Sequence, residues 1–337
     1  MRKLTAIAAT ALALFISPMS GMAKDGKVVI GLAMPSQIVE RFVRDKDFFV
    51  EAARARGDEV LVQIADEDQA KQNAQVENLI AQGIDVLVIN PHDSAAAATA
   101  VASAKAAGIP VVSYVRLVTD AAVDAWVADD FFATGEIQGQ YLADRVPKGN
   151  YILLHGAPED FVSTLFYDGA MSKLQPLIDR GDIKVIVDQA AKAWQPTNAL
   201  AIVENGLTIS DNKIDAVLSP NDGLAGGAIE ALAAQNLAGK VVVTGGDAGL
   251  DAAKRIVAGT QSMTVYRDIK ALAETAVIVA ERLARKEPLA DLVQRNVNNG
   301  QVDVPSIFGK AVAVDKTNLD SILIDSGFQK RQDVYGK

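Results

Sequence analysis

The chain has 337 residues, with 33 Lys and Arg against 42 Asp and Glu for a formal net charge of −9, no cysteine, and 50% hydrophobic but only 5% aromatic residues. The missing thiol excludes disulfides, thiolate zinc sites, iron–sulfur clusters and cysteine nucleophiles. The acidic balance, with no Lys/Arg run beyond two residues, argues against nucleic acid as a partner. The length exceeds what one hydrophobic core fills, so two domains of ordinary size are expected.

Residues 1–23 read as a cleavable secretory signal. Arg2 and Lys3 start it, 4–16 is an uncharged and mostly apolar stretch, and Gly21-Met22-Ala23 offers small residues for cleavage. The apolar run is shorter than the roughly 20 residues that a spanning helix needs. Loss of the two basic residues leaves −11 on a mature chain from Lys24. With no cysteine to carry a lipid, a freely soluble periplasmic protein is expected.

From Lys27 onward short β-rich runs alternate with helical patterns. Residues 28–32, 60–64, 86–89, 109–114 and 123–127 are the first strand candidates, followed by 151–154, 183–187, 216–218, 241–244 and 262–266. Each is a compact Val/Ile/Leu-rich run bounded by turn residues, as expected of strands covered on both faces. Ile269, Leu272, Ala273, Ala276, Ala280 and Leu283 recur at helical spacing. Alternation of this kind predicts parallel sheets with right-handed crossovers. The fold class is therefore α/β, with two Rossmann-like lobes. The N-terminal lobe is expected over 24–116 plus 248–266, and the C-terminal lobe over 117–247 plus 267–337. Chain crossings near Arg116, Asp247 and Arg267 would form a hinge, and a ligand would sit beyond the C-terminal strand ends.

Motifs for catalysis are absent. There is no GxSxG elbow, Walker loop, GxGxxG or HExxH, and the only histidines, His92 and His155, have no partner at metal spacing. Asp66-Glu67-Asp68 imitates part of a calcium loop, but Lys71 stands where glycine is required, so it reads as a helix start. No cofactor, no metal and no enzyme activity are expected.

The informative polar residues stand at strand ends. Arg116, Asp247 and Arg267 follow strand candidates, and Asn221-Asp222 opens a helix after 216–218. Asp222 either caps that helix or accepts hydroxyl hydrogen bonds in the cleft. Guanidiniums and carboxylates suit vicinal hydroxyls, and aromatic faces suit the C–H surface of a sugar. Phe42, Phe161 and Trp194 are the aromatic candidates, and of Glu40 and Arg41 at most one can face the cleft.

On several segments the chain resembles the periplasmic sugar-binding proteins of ABC importers, type I periplasmic binding proteins, in their xylose-binding and multiple-sugar-binding branch. They include Gln75-Val76-Glu77-Asn78-Leu79-Ile80, Phe166-Tyr167-Asp168-Gly169-Ala170-Met171, Ala225-Gly226-Gly227-Ala228-Ile229 and the run from Ala258 to Tyr266. The resemblance spans about 28–334. It implies two lobes with a three-crossing hinge, a sugar held between them, and delivery to a membrane permease. By that resemblance Arg116, Trp194, Asn221 and Asp222 keep the family's ligand-binding places, and the other expected ligand contacts, from the residues themselves, are Phe42, Phe161, Asp247, Arg267 and Arg41. Where the xylose-binding pattern has Tyr-Asp-Arg, this chain has Tyr114-Val115-Arg116. An Asp-Asn-Asn becomes Asp160-Phe161-Val162, and an Asp-Asp-Leu-Arg becomes Pro35-Ser36-Gln37-Ile38. These apolar replacements predict a ligand other than D-xylose: a deoxy or methyl-bearing sugar, a related polyol, or a ligand with a carboxylate for Arg116 and Arg267. The expected partners are this small molecule and the permease, with a chemoreceptor or sensor kinase as the alternative, and the protein is expected to be a monomer.

Overall fold

The computed structural model describes residues 26–336. The secretory signal expected over 1–23 lies outside them. The chain first builds β1 (Val29–Met34), α1 (Glu40–Ala55), β2 (Glu59–Ile64), α2 (Gln69–Ala81), β3 (Val86–Ile89), α3 (Ala98–Ala106), β4 (Val111–Tyr114) and β5 (Ala125–Asp129). It then crosses to a second lobe through α4 (Phe131–Arg145), β6 (Gly149–His155), α5 (Phe161–Asp179), β7 (Ile183–Ala190), α6 (Pro196–Ile209) and β8 (Ala216–Leu218). That lobe continues with α7 (Asp222–Ala234), β9 (Val242–Val243), α8 (Leu250–Ala258) and β10 (Met263–Arg267). The chain returns as α9 (Ile269–Ala284), β11 (Arg295–Asn298) and β12 (Asp303–Gly309), and ends in the second lobe with β13 (Ala311–Asp315) and α10 (Arg331–Tyr335).

The first lobe is one sheet in the order β11-β12-β5-β4-β3-β1-β2, parallel except for the β11–β12 pair. β3 and β4 are buried along their whole length, which explains why they read as unbroken apolar runs. Helix α9 packs on α1 and on the β3–β5 strands, while α2 and α3 pack together elsewhere on the lobe. The second lobe has the parallel order β7-β6-β8-β9. The antiparallel β10–β13 ribbon continues it, because Ser262 N donates to Val243 O at 3.0 Å.

Sheet membership moves the expected lobe boundaries. β5 pairs with β4 and β12 with β5, so the first lobe runs past Arg116 to Asp129 and takes in Ile269 to Gly309. The chain changes lobe at 129–131, 267–269 and 309–311. Residues near 116 and 247 are strand-end turns inside single lobes. A polar residue after a strand looks the same in both situations, and only pairing partners tell them apart.

Helices α4 and α5 approach through glycine. A Cβ on Gly135 would lie 2.0 Å from Phe166 O, and one on Gly169 would lie 2.1 Å from Phe132 O. Only glycine permits that approach, which brings the Phe131 and Phe166 rings to 5.1 Å. Both rings face the interlobe cleft.

Candidate functional site: the interlobe cleft

Strand ends and helix starts from both lobes meet at one place. Asp129 ends β5, and Asp130 next to it caps α4 by accepting from Ala133 N at 3.1 Å. Arg267 ends β10, and Asp268 caps α9 by accepting from Ala271 N at 3.0 Å. The first lobe adds Arg41 and Phe42 from α1, with Val115 and Arg116 beyond β4. The second adds Asp160, Val162 and Phe166 around the start of α5, with Trp194, Asn221 and Asp247. Together they line an inner chamber of about 40 Å3. An outer chamber of about 430 Å3 shares Val39, Arg41, Trp194, Asn221 and Asp247 with it. The lobes also touch directly: Ser94 N donates to Glu159 O at 3.1 Å, Phe161 N to Ser94 Oγ at 3.1 Å, and Gln195 Nε2 to Glu67 Oε1 at 3.3 Å.

Two charged clusters share the cavity. In one, Arg116 Nε lies 2.6 Å from Asp160 Oδ2, and its Nη1 donates to the carbonyls of Pro91 and His92 at 3.1 Å each. Trp194 Nε1 donates to the same Asp160 oxygen at 3.1 Å, and the Phe42 ring lies 5.1 Å from the Arg116 guanidinium. Asp160 is therefore fully hydrogen-bonded, because Val162 N also donates to its Oδ1 at 3.1 Å.

The other cluster spans the hinge. Arg41 Nε donates to Asp45 at 3.0 Å, and Tyr114 OH donates to the same carboxylate at 2.7 Å. Arg41 Nη1 lies 2.5 Å from Asp129 Oδ2 and 3.9 Å from Asp247. Arg267 pairs with Asp247 through Nη2, and its Nε lies 3.8 Å from Asp129. Phe131 and Phe166 each stand 5.5 Å from the Arg267 guanidinium, a cation–π arrangement strengthened by burial. Beyond the 2.5 Å pair of Arg41 Nη1 with Asp129 Oδ2, four buried atoms here have no hydrogen-bond partner: Nη2 of Arg41, Oδ1 of Asp129, and Nε and Nη1 of Arg267.

Burial governs the protonation of these groups. It opposes the Arg41 charge, but Asp129, Asp45 and Asp247 outweigh it and raise the guanidinium above its ordinary value. Burial raises Asp45 against the pull of Arg41, raises Asp160 against the pull of Arg116, and pushes the Tyr114 hydroxyl well up. Asp222 is pushed up to about 7, first by burial and then by the neighbouring charge of Asp247.

Of the nine residues expected to contact ligand, Arg41, Phe42, Arg116, Trp194, Asn221, Asp247 and Arg267 line the inner chamber. Arg41 lines both chambers, whereas Glu40 reaches only the outer one and accepts from Arg44 at 3.0 Å. Two expectations need correction. Phe161 lines neither chamber and packs, half-buried, against the core, while its backbone N–H donates to Ser94 Oγ. Asp222 borders only the outer chamber, and its side chain is consumed within its own lobe. Its Oδ1 accepts from Gln261 Nε2 and Thr264 Oγ1 at 2.8 Å each, and its Oδ2 from Gly249 N at 3.0 Å. Asn221, not Asp222, caps α7, accepting from Leu224 N at 2.9 Å. Sequence reasoning missed Asp129, Phe131 and Phe166. Asp129 had a usable signal, since it ends a strand as Arg267 does.

Two α/β lobes, three crossings and a polar, aromatic-lined cavity at the strand ends define a two-lobed binding protein of the type I periplasmic class. The chain belongs to the periplasmic binding protein family, whose domain it matches over residues 30–288. It is 45% identical over 309 residues, 91% of this chain and 93% of the other, to the D-xylose-binding periplasmic protein of Escherichia coli. It is 34% identical to the multiple sugar-binding periplasmic receptor ChvE of Rhizobium radiobacter, covering 97% of each chain. Among solved structures, it superposes on a carbohydrate transporter solute-binding protein of Chloroflexus aurantiacus in complex with D-glucose. That match has a TM-score of 0.86 and 33% identity over 91% of this chain and 98% of that one.

Proposed function

We propose that this chain is a non-catalytic periplasmic receptor that captures one small neutral sugar or polyol between its lobes and presents it to an ABC permease. The observation that carries the reading is the set of four buried polar atoms on Arg41, Asp129 and Arg267 that have no hydrogen-bond partner. A buried polar group left without a partner costs about 1–3 kcal/mol. Hydroxyl groups, which both donate and accept, can serve guanidinium nitrogens and a carboxylate oxygen at once. The sugars named for its relatives support this class. Charge balance favours a neutral member of it. Arg41, Arg116 and Arg267 stand among Asp45, Asp129, Asp160 and Asp247, so the cavity offers no net positive field to a carboxylate. This weighs against the acid-bearing ligand admitted on sequence grounds.

Closure brings both lobes onto the ligand, so binding shifts an open–closed equilibrium that the permease reads. The chain has two tryptophans. Trp194 lines the cavity, whereas Trp126 is buried in the first lobe with Nε1 bonded to Val115 O at 3.1 Å. Titration with pentoses, hexoses, polyols and sugar acids should change tryptophan emission saturably for a neutral sugar, and Trp194→Phe should remove the change. Silence toward every neutral sugar, or a response to sugar acids alone, would contradict the reading.

A further inference from the structure

We infer that Val115 is a specificity-determining residue that selects a ligand with an apolar edge, a deoxygenated carbon or a methyl substituent, over its hydroxylated counterpart. The inference rests on the sugar-receptor reading above and narrows it to a substrate class. Twelve non-glycine residues among those described have a left-handed φ, and Val115, at +60°, is the only β-branched one. Its second Cβ substituent makes that conformation costly, whereas Asn, Asp or Gly adopt it readily. Two more of the twelve, Trp194 at +56° and Asp247 at +98°, line the same inner chamber. Strain of this kind persists where the surroundings over-determine it, and it gathers at ligand sites.

The surroundings of Val115 fix its backbone. Its N–H donates to Val127 O at 2.9 Å, and its carbonyl accepts from Trp126 Nε1 at 3.1 Å. The left-handed turn ends β4 with the side chain 4% exposed and on the chamber wall. Val115 is also part of the buried apolar core of the first lobe, so its apolar character serves packing and the chamber wall together, and it is kept at the cost of backbone strain. The polar groups nearest in the chain are already engaged: Arg116 with Asp160, Pro91 and His92, and Asp160 with Val162 and Trp194. The unbonded donors and acceptors stand instead on Arg41, Asp129 and Arg267. A ligand hydroxyl placed against Val115 and Val162 gains no partner from either side chain and loses its water. A hydrogen or methyl there loses nothing.

The test is calorimetric titration of the full-length protein with matched pairs: 2-deoxy-D-ribose with D-ribose, D-fucose with D-galactose, and L-rhamnose with L-mannose. The wild type should bind the deoxy member of at least one pair about 10- to 100-fold more tightly. Val115→Thr keeps the shape and the backbone strain and exchanges one methyl for a hydroxyl, so it should shift that ratio at least fivefold toward the hydroxylated member. Val115→Asn, which tolerates the left-handed turn, should shift the ratio the same way. A preference for the hydroxylated member in every pair, or an unchanged ratio in folded Val115→Thr, would overturn the inference while leaving the sugar receptor standing. Wild type that binds no sugar at all would overturn both.

Discussion

Asp129 is placed between two guanidiniums, 2.5 Å from Arg41 Nη1 and 3.8 Å from Arg267 Nε, and is fully buried. Removing one partner of a buried charge set leaves the others uncompensated, which typically costs 3–5 kcal/mol. Asp129→Ala should therefore lower stability by about that amount and abolish ligand binding, measured by denaturant unfolding and calorimetry. Retained affinity would remove Asp129 from the site. Asp222 makes a second prediction. Its carboxyl is raised to about 7, chiefly by burial, against an unfolded value near 3.9. The raised value means that the folded state holds its proton more tightly than the unfolded one. The resulting stabilisation is fully present below pH ~4 and is lost as pH rises through about 7, a change on the order of 4 kcal/mol. Wild type should lose stability relative to Asp222→Asn between pH 4 and pH 7.5, and parallel pH profiles would show that Asp222 is ionised throughout.

At the level of elements, the α4–α5 contact links glycine placement to the cavity. With only 2.0 Å between a Gly135 Cβ and Phe166 O, Gly135→Ala forces the helices apart. It should destabilise by about 1–3 kcal/mol and weaken binding, because Phe131 and Phe166 move away from Arg267. Unchanged affinity in the folded variant would show that these rings do not shape the site. The core strands were legible as Val/Ile runs because both faces are buried, and β10 was found at nearly its true bounds. The edge pair β11–β12 was not found. Its strand Arg295–Asn298 is mostly exposed and polar, so it carries no apolar run to detect. Arg116 and Arg267 look alike in sequence, both following strands, yet only Arg267 stands at a crossing. Local patterning reveals strand ends but not strand partners. Asp129 ends its strand as Arg267 does, but it and Asp130 are adjacent identical residues, one in the buried charge cluster and the other capping a helix, so position alone does not tell them apart.

For the whole molecule, the three crossings at 129–131, 267–269 and 309–311 lie next to the charged groups that await a ligand. Arg267 is both a hinge residue and a cavity residue, and the hinge residue Asp129 pairs with Arg41, which lines the cavity, so engaging these guanidiniums ties ligand binding to the relative position of the lobes. The closed arrangement keeps four buried polar atoms without a hydrogen bond, and an open arrangement rehydrates them. Ligand should therefore shift the population toward closure, seen as a smaller radius of gyration by solution X-ray scattering at saturating sugar. At 100 times its dissociation constant it should also add about 2.7 kcal/mol of stability. No compaction in the presence of a bound sugar would separate binding from closure.

The most direct measurement is calorimetric titration of the wild type and of Arg41→Ala against a panel of neutral aldoses, deoxysugars, polyols and sugar acids. The account predicts saturable binding of a neutral sugar at one site per chain, lost in the folded variant. Binding confined to sugar acids, or a neutral sugar bound equally well without Arg41, would contradict it.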